Sequence, residues 1–86
     1  MFKASQYKVI RNPVVLNRYP LSRSHLFNHI NQGLFPEPIS LGERAVGWLE
    51  HEVDAVISAR AIGKSEEEIK SLVKSLKEQR HNWVRE

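Results

Sequence analysis

Ser22, Arg23, Ser24, His25, Asn28 and His29 fall within eight consecutive residues. Their side chains are the donors and acceptors that meet nucleic acid: hydroxyls and imidazoles for phosphate oxygens, Asn28 for an adenine edge, Arg23 for guanine or phosphate. Arg44, in the run Gly42-Glu43-Arg44, adds a guanidinium at a turn, where it would meet a phosphate or the minor groove beside the main contact. Other chemistries are poorly supplied. His25 and His29 stand at i and i+4 and could share a metal ion, yet no Asp, Glu or Cys nearby completes a shell, so no metal site is assigned. His51-Glu52 begins like a zinc-protease helix, but position 55 is Ala and the second His is missing. The pair reads as a surface pair at a helix start. No nucleophile, paired carboxylate or metal set stands out, so neither an enzyme nor a cofactor is expected.

The chain has 86 residues, room for one domain with a modest core. It carries 13 Lys and Arg against 10 Asp and Glu, a formal charge of +3. The positive charge is uneven: residues 1–49 hold six basic and two acidic side chains, and residues 50–86 hold seven and eight. The positive field therefore lies on the half with the Ser22 to His29 cluster, as a phosphate-binding surface requires. There are no cysteines, which excludes disulfides, thiolate metal sites and cysteine catalysis. The N-terminus lacks the apolar core of a signal peptide, and no apolar run approaches the ~18 residues of a membrane span. A cytoplasmic protein with no membrane partner is expected.

The elements that must position these groups are punctuated clearly. Lys8-Val9-Ile10 reads as a short strand, after residues 1–7 as a flexible N-terminus. Asn12 is expected to cap a first helix with Pro13 at its start, and Pro20 to end it, with Val15, Leu16 and Tyr19 inward. Ser22 caps a second helix whose inner side is Leu26, Phe27 and Ile30 and whose outer face is Ser24, His25, Asn28 and Gln32, with His29 at the flank. Gly33 stops it, and Leu34-Phe35 returns the chain to the core. From Pro36 the pattern alternates, Ile39 and Leu41 on one face and then Val46 and Trp48, which predicts a hairpin. Gly42 and Gly47 serve backbone shape, and Trp48 is a core residue. A third helix begins near Leu49 or Glu50, with Val53, Val56 and Ile57 inward, and Gly63 breaks it. Ser65-Glu66-Glu67-Glu68 is a capping box opening a fourth helix with an apolar stripe of Ile69, Leu72, Val73, Leu76 and Trp83. The expected fold is mainly α with a small β-hairpin wing: a winged helix-turn-helix over 8–62, plus an extra amphipathic helix over 64–86.

Leu21-Ser22-Arg23-Ser24, the run from Gly33-Leu34-Phe35-Pro36-Glu37-Pro38 through Leu41-Gly42-Glu43-Arg44-Ala45-Val46-Gly47-Trp48, and Glu52-Val53-Asp54-Ala55 resemble the AlpA-like phage regulators. That resemblance runs in order over about Val9 to Arg60. It implies a MerR-like, excisionase-like winged helix-turn-helix in a bacterial, nucleoid-associated regulator of a prophage or genomic island. Such a protein would bind double-stranded DNA, control transcription, act as a recombination directionality factor with a phage-type integrase, or do both. Two positions depart from the family's habit: Asn28 stands where Arg or Lys is frequent, and Val56 where Trp is frequent.

The residues expected on DNA are Ser22, Arg23, Ser24, His25, Asn28, His29 and Arg44. The stripe of Ile69, Leu72, Val73, Leu76 and Trp83 either folds back on its own domain or meets another subunit on DNA or a partner; the second is favoured, because the domain before it can form a core alone. The alternative function rests on the same helix: a protein-interaction adaptor, such as an anti-repressor or integrase partner.

Overall fold

The computed structural model describes residues 8–19 and 21–84, with side chains as far as Arg80. The expectations for residues 1–7, for Pro20 and for the side chain of Trp83 lie outside the described residues. In chain order the elements are β1 (Val9–Ile10), α1 (Asn12–Arg18), α2 (Arg23–Asn31), β2 (Ile39–Gly42), β3 (Ala45–Leu49), α3 (Glu50–Ala61) and α4 (Glu66–Val84). Mostly helical with one small antiparallel sheet, this is a winged helix-turn-helix-like fold with an added C-terminal helix.

The sheet has three strands in the order β1-β3-β2. The hairpin of β2 and β3 is the expected wing, and β1 joins it from the other side, pairing Val9 with Leu49 and Ile10 with Trp48. The amide of Glu50 donates to the Lys8 carbonyl at 2.8 Å, so the ladder runs into the start of α3. A bulge between Ser40 and Gly42 tightens the hairpin tip, where Gly42 (φ 136°) and Arg44 (φ 60°) both take positive φ. The inner face of the hairpin differs from the alternation expected. Trp48 is fully buried and Ile39 half-buried, but Leu41 and Val46 are exposed, since the tip of the wing reaches past the helices that cover its base.

Helix ends follow local chemistry except at the starts of α1 and α3, the latter entered from Leu49 with no side-chain cap. Ser22 Oγ accepts from the His25 amide at 3.2 Å, as an N-cap should. The other end of α2 is a Schellman closure: Gly33 at φ 79°, its amide donating to Ile30 O and the Leu34 amide to His29 O. Gly63, at φ 85°, closes α3 in the same way through Ala59 and Arg60 carbonyls. Ser65 and Glu68 exchange both hydrogen bonds of a capping box. At α1 the expected cap is displaced by one residue. Arg11, extended, is its N-cap and makes no side-chain bond, while Asn12 lies inside the helix with its Oδ1 buried and unpaired. Pro13 has no amide to offer, so the first bonds run from Val14 and Val15 to the Arg11 carbonyl.

One core joins every element except β2. Ile10, Val15, Leu26, Phe35, Trp48, Val53 and Val56 are buried together with Ile69 and Leu76 of α4, and Leu72 and Val73 pack against that cluster. The indole N–H of Trp48 donates to Pro36 O at 3.1 Å. Of the two alternatives open for the α4 stripe, packing on its own domain accounts for Ile69 and Leu76, with Leu72 and Val73 alongside, rather than the favoured second subunit. A unit as small as α1 to α3 with its sheet leaves apolar flank uncovered, and the stripe of α4 fills that flank intramolecularly.

A second correction concerns His51-Glu52. The pair is not a surface feature: Glu52 is completely buried and His51 half-buried. Arg80 of α4 reaches Glu52 through Nε at 2.8 Å and closes a two-pronged contact with Nη2, which also donates to the Glu37 carbonyl at 2.9 Å. Burying a carboxylate requires such a counter-charge.

Candidate nucleic-acid interface

The first turns of α2 hold Ser22, Arg23, Ser24, His25 and Asn28 on exposed positions. Only Leu26 of this helix is deeply buried and His29 and Ile30 are half-buried, so the outer face remains for contact. The first turn carries no acidic residue, which leaves the positive end of the helix dipole without a carboxylate against it. Ser22 has two roles there: its Oγ caps the helix and lies 3.1 Å from His25 Nδ1, which orients that imidazole.

His29 is placed differently from the rest. It is half-buried, and its Nδ1 lies 3.0 Å from the Tyr19 hydroxyl, with the two rings edge to face at 5.9 Å. Tyr19 in turn stacks on Phe35 at 4.8 Å and lies beneath the Arg60 guanidinium, whose Cζ is 5.8 Å from the ring centroid. Burial, then the positive charges of Arg60 and His25, push the His29 imidazole below its ordinary value, with Glu66 pulling the other way. Burial pushes the Tyr19 phenol up, against the pull of Arg60. His29 is thus a neutral strut between α2 and the end of α1 more than a free surface group. Among the described residues no three His, Asp or Glu side chains gather to hold a metal ion.

Arg44 stands exposed at the hairpin tip, apart from the α2 cluster and on its own element. The link between the two is Phe27. Expected inside, Phe27 is 38% exposed and meets Trp48 of β3 with ring centroids 6.4 Å apart. On a helical wheel it lies at the edge of the arc set by Leu26 and Ile30, which is the signal that places it at the boundary of core and surface.

Charge on this half sorts into two sets. Arg18 is committed, at 2.7 Å from Glu50 and 3.2 Å from Asp54, which ties α1 to the first turns of α3. Lys8, Arg11, Arg23 and Arg44 are exposed and form no ion pair with any described residue. The role of Arg18 was not read from the sequence, because its partners lie 32 and 36 residues away.

Residues 8–61 match the family described as Prophage CP4-57 regulatory protein (AlpA). The chain belongs to the AlpA family. It is 38% identical over 60 residues to a protein of Enterobacteria phage P4 described as uncharacterized protein ORF88, a match spanning 70% of this chain and 68% of that one. It is 29% identical over 66 residues to the DNA-binding transcriptional activator AlpA of Escherichia coli (strain K12), across 70% of this chain and 94% of the relative. No solved structure matches the chain. The AlpA match ends at Ala61, the last residue of α3, so α4 lies beyond it. Among the described residues no helix is long and apolar enough to cross a membrane.

Proposed function

We propose that this AlpA-family protein is a cytoplasmic, sequence-specific DNA-binding regulator of transcription in a prophage or genomic island. The observation that carries the reading is an α2 whose N-terminal turns present Ser22, Arg23, Ser24, His25 and Asn28 to solvent, beside a hairpin tipped by Arg44. In this reading α2 enters the major groove by its N-terminal end. Arg23 and Asn28 reach guanine and adenine edges, and Ser22, Ser24 and His25 fix the helix on phosphates. Arg44 follows the flanking backbone or minor groove, and His29 supports the helix through Tyr19. The family relative named as a DNA-binding transcriptional activator supports this assignment.

The four cations of the N-terminal half that form no ion pair among the described residues set a magnitude. If Lys8, Arg11, Arg23 and Arg44 each neutralise one phosphate, log K against log[salt] has a slope of roughly −3.6. Fluorescence anisotropy on the DNA flanking the protein's own gene and on the neighbouring attachment site, at several salt concentrations, tests it. Specific binding with that slope, reduced by Arg23→Ala, supports the reading; weak, equal binding to every sequence overturns it. A preference for the attachment site, with bending of the bound DNA, would add the finer role of an excisionase working beside an integrase in several copies.

A further inference from the structure

A groove of about 250 Å³ opens between the last turn of α2, the segment leading into β2, and one face of α4. Its floor is apolar: half-buried Ile30 and Val73, with buried Phe35 and Pro36. Its rim is cationic, since Lys70, Lys74, Lys77 and Arg80 recur at helical spacing along α4. Two of the four are engaged within the protein. Lys77 Nζ lies 2.9 Å from Glu37 Oε1, and Arg80 is held by Glu52 and the Glu37 carbonyl. Lys70 and Lys74 are exposed and form no ion pair with any described residue.

We infer that this groove docks an acidic peptide segment of a protein partner, with one large apolar side chain entering between Ile30 and Val73 and flanking carboxylates meeting Lys70 and Lys74. Three observations select that occupant. The volume is below the roughly 300–1,000 Å³ of sites for drug-sized ligands, and it suits a single anchoring side chain. The unmatched charge is wholly positive, so electrostatic complementarity calls for carboxylates. The apolar floor offers a phosphate backbone nothing, and the groove adjoins the C-terminal end of α2, whereas Ser22 to His25 form its N-terminal end. Bound peptide and bound DNA therefore use opposite ends of one helix. The lysines lie outside the AlpA match, so the groove arises where this chain's own C-terminal helix meets the AlpA unit.

The inference stands independently of the DNA reading, and the test separates them. The full-length, ¹⁵N-labelled protein is titrated with a fluorescein-labelled peptide carrying one phenylalanine between two pairs of glutamates, in parallel with a glutamate-only peptide. The expected result is amide shifts confined to residues around Ile30, Gly33, Lys70, Val73 and Lys74. The glutamate-only peptide should bind at least tenfold more weakly, and Lys70→Glu/Lys74→Glu should abolish peptide binding while DNA anisotropy stays unchanged. Absence of shifts at the groove, equal binding of the glutamate-only peptide, or an equal loss of DNA affinity in the double variant each overturns the proposal. The last outcome would give the lysines to phosphates.

Discussion

Arg80→Met is the perturbation whose consequence the structure determines most sharply. Glu52 has no exposed surface, and the Arg80 side chain that pairs with it is only 16% exposed. Removing the guanidinium leaves a buried carboxylate with neither its counter-charge nor the two donors that satisfy its oxygens, and it frees the Glu37 carbonyl as well. Breaking a buried pair from one side costs about 3–5 kcal/mol. That is a large share of the roughly 5–15 kcal/mol that holds a domain folded. In a chain of this size each kcal/mol moves the melting temperature by about 4–8 °C, so a fall of roughly 12–40 °C is expected. The companion variant is Glu52→Leu/Arg80→Met, which replaces both charges by apolar groups and removes the desolvation penalty along with the attraction. It should recover most of the loss, within about 1 kcal/mol of the parent, because a buried pair and a packed apolar pair are nearly equivalent. Urea and thermal unfolding followed by circular dichroism give both numbers, and the cycle through Glu52→Leu alone isolates the coupling. Two results would refute the reasoning. A neutral Arg80→Met would mean that α4 does not seal Glu52, and a double variant no more stable than the single one would mean that the pair stabilises by attraction rather than by cancelling a cost.

Three further predictions concern the supports of the reading surface. Burial is the first cause holding both His29 and His51 below the ordinary imidazole value, so the unfolded chain takes up their protons first. For His29 the Arg60 and His25 charges add to this and Glu66 opposes it; for His51, Glu52 and Asp54 oppose burial while Arg80 reinforces it. The stability they contribute is complete above about pH 6.5 and is lost as pH falls through their lowered folded-state values. The urea midpoint should drop over that window, and His29→Gln/His51→Gln should flatten the drop. Arg44→Gly relieves a positive φ that a side chain adopts at a cost, so thermal stability should hold or rise by up to about 1 kcal/mol. DNA affinity should fall in the same variant and the salt slope become shallower by about 0.9; unchanged affinity would remove Arg44 from the interface. Gly47→Ala places a methyl carbon 2.5 Å from Val9 Cγ1 and 3.2 Å from the Ile10 carbonyl oxygen. Because the second neighbour is backbone, a loss of about 1–3 kcal/mol in urea unfolding is expected, and a neutral variant would show that β1 can detach from β3 without consequence.

The parts of this fold legible in the sequence are those written in local chemistry. Ser22 and the Ser65 to Glu68 box reach their amides within three residues, and Gly33 and Gly63 close their helices within six, so each can be read without knowing the tertiary structure. The wing was legible because Trp48 and the Gly42 to Arg44 turn interrupt helical periodicity at the right spacing. What escaped depends on distance along the chain. Nothing near Glu52 says that it will be buried, since its partner is 28 residues downstream. Phe27 and Leu41 have core chemistry, yet their burial is decided by where the neighbouring helices end, which periodicity does not report. The stripe of α4 is legible as apolar but what covers it is not, for a related reason: amphipathicity fixes which face of a helix is covered, and the remaining apolar surface of the domain decides by what. The exposure of Ser24, His25 and Asn28 agrees with the wheel; Ser22 and Arg23 fall on the apolar side by angle and are exposed because they stand at the helix tip, while His29 turns inward to a hydrogen bond with Tyr19.

Those long-range contacts give α2 unequal ends. At its C-terminal end the helix is closed by Gly33, braced by the Tyr19 contact to His29, and bordered by α4 across the groove. At its N-terminal end the Ser22 cap, the Leu26 anchor, Leu21 against the core and the Phe27 contact to Trp48 hold it, with no α4 contact across a groove among the described residues. Burial of Ile69 and Leu76 supplies about 1.5–3 kcal/mol each, together about 3–6 kcal/mol, a large share of the roughly 5–15 kcal/mol that holds a domain folded. The AlpA match stops before those residues, so the chain that forms the proposed reading surface is held in shape by a helix that lies outside the match. A rigid C-terminal end and an open N-terminal end let α2 present Ser22 to Asn28 without adjusting its own position, and preorganisation of this kind lowers the ordering cost of binding. The same geometry places the α4 lysines where an acidic segment could bear on the buttressed end while the other end holds DNA.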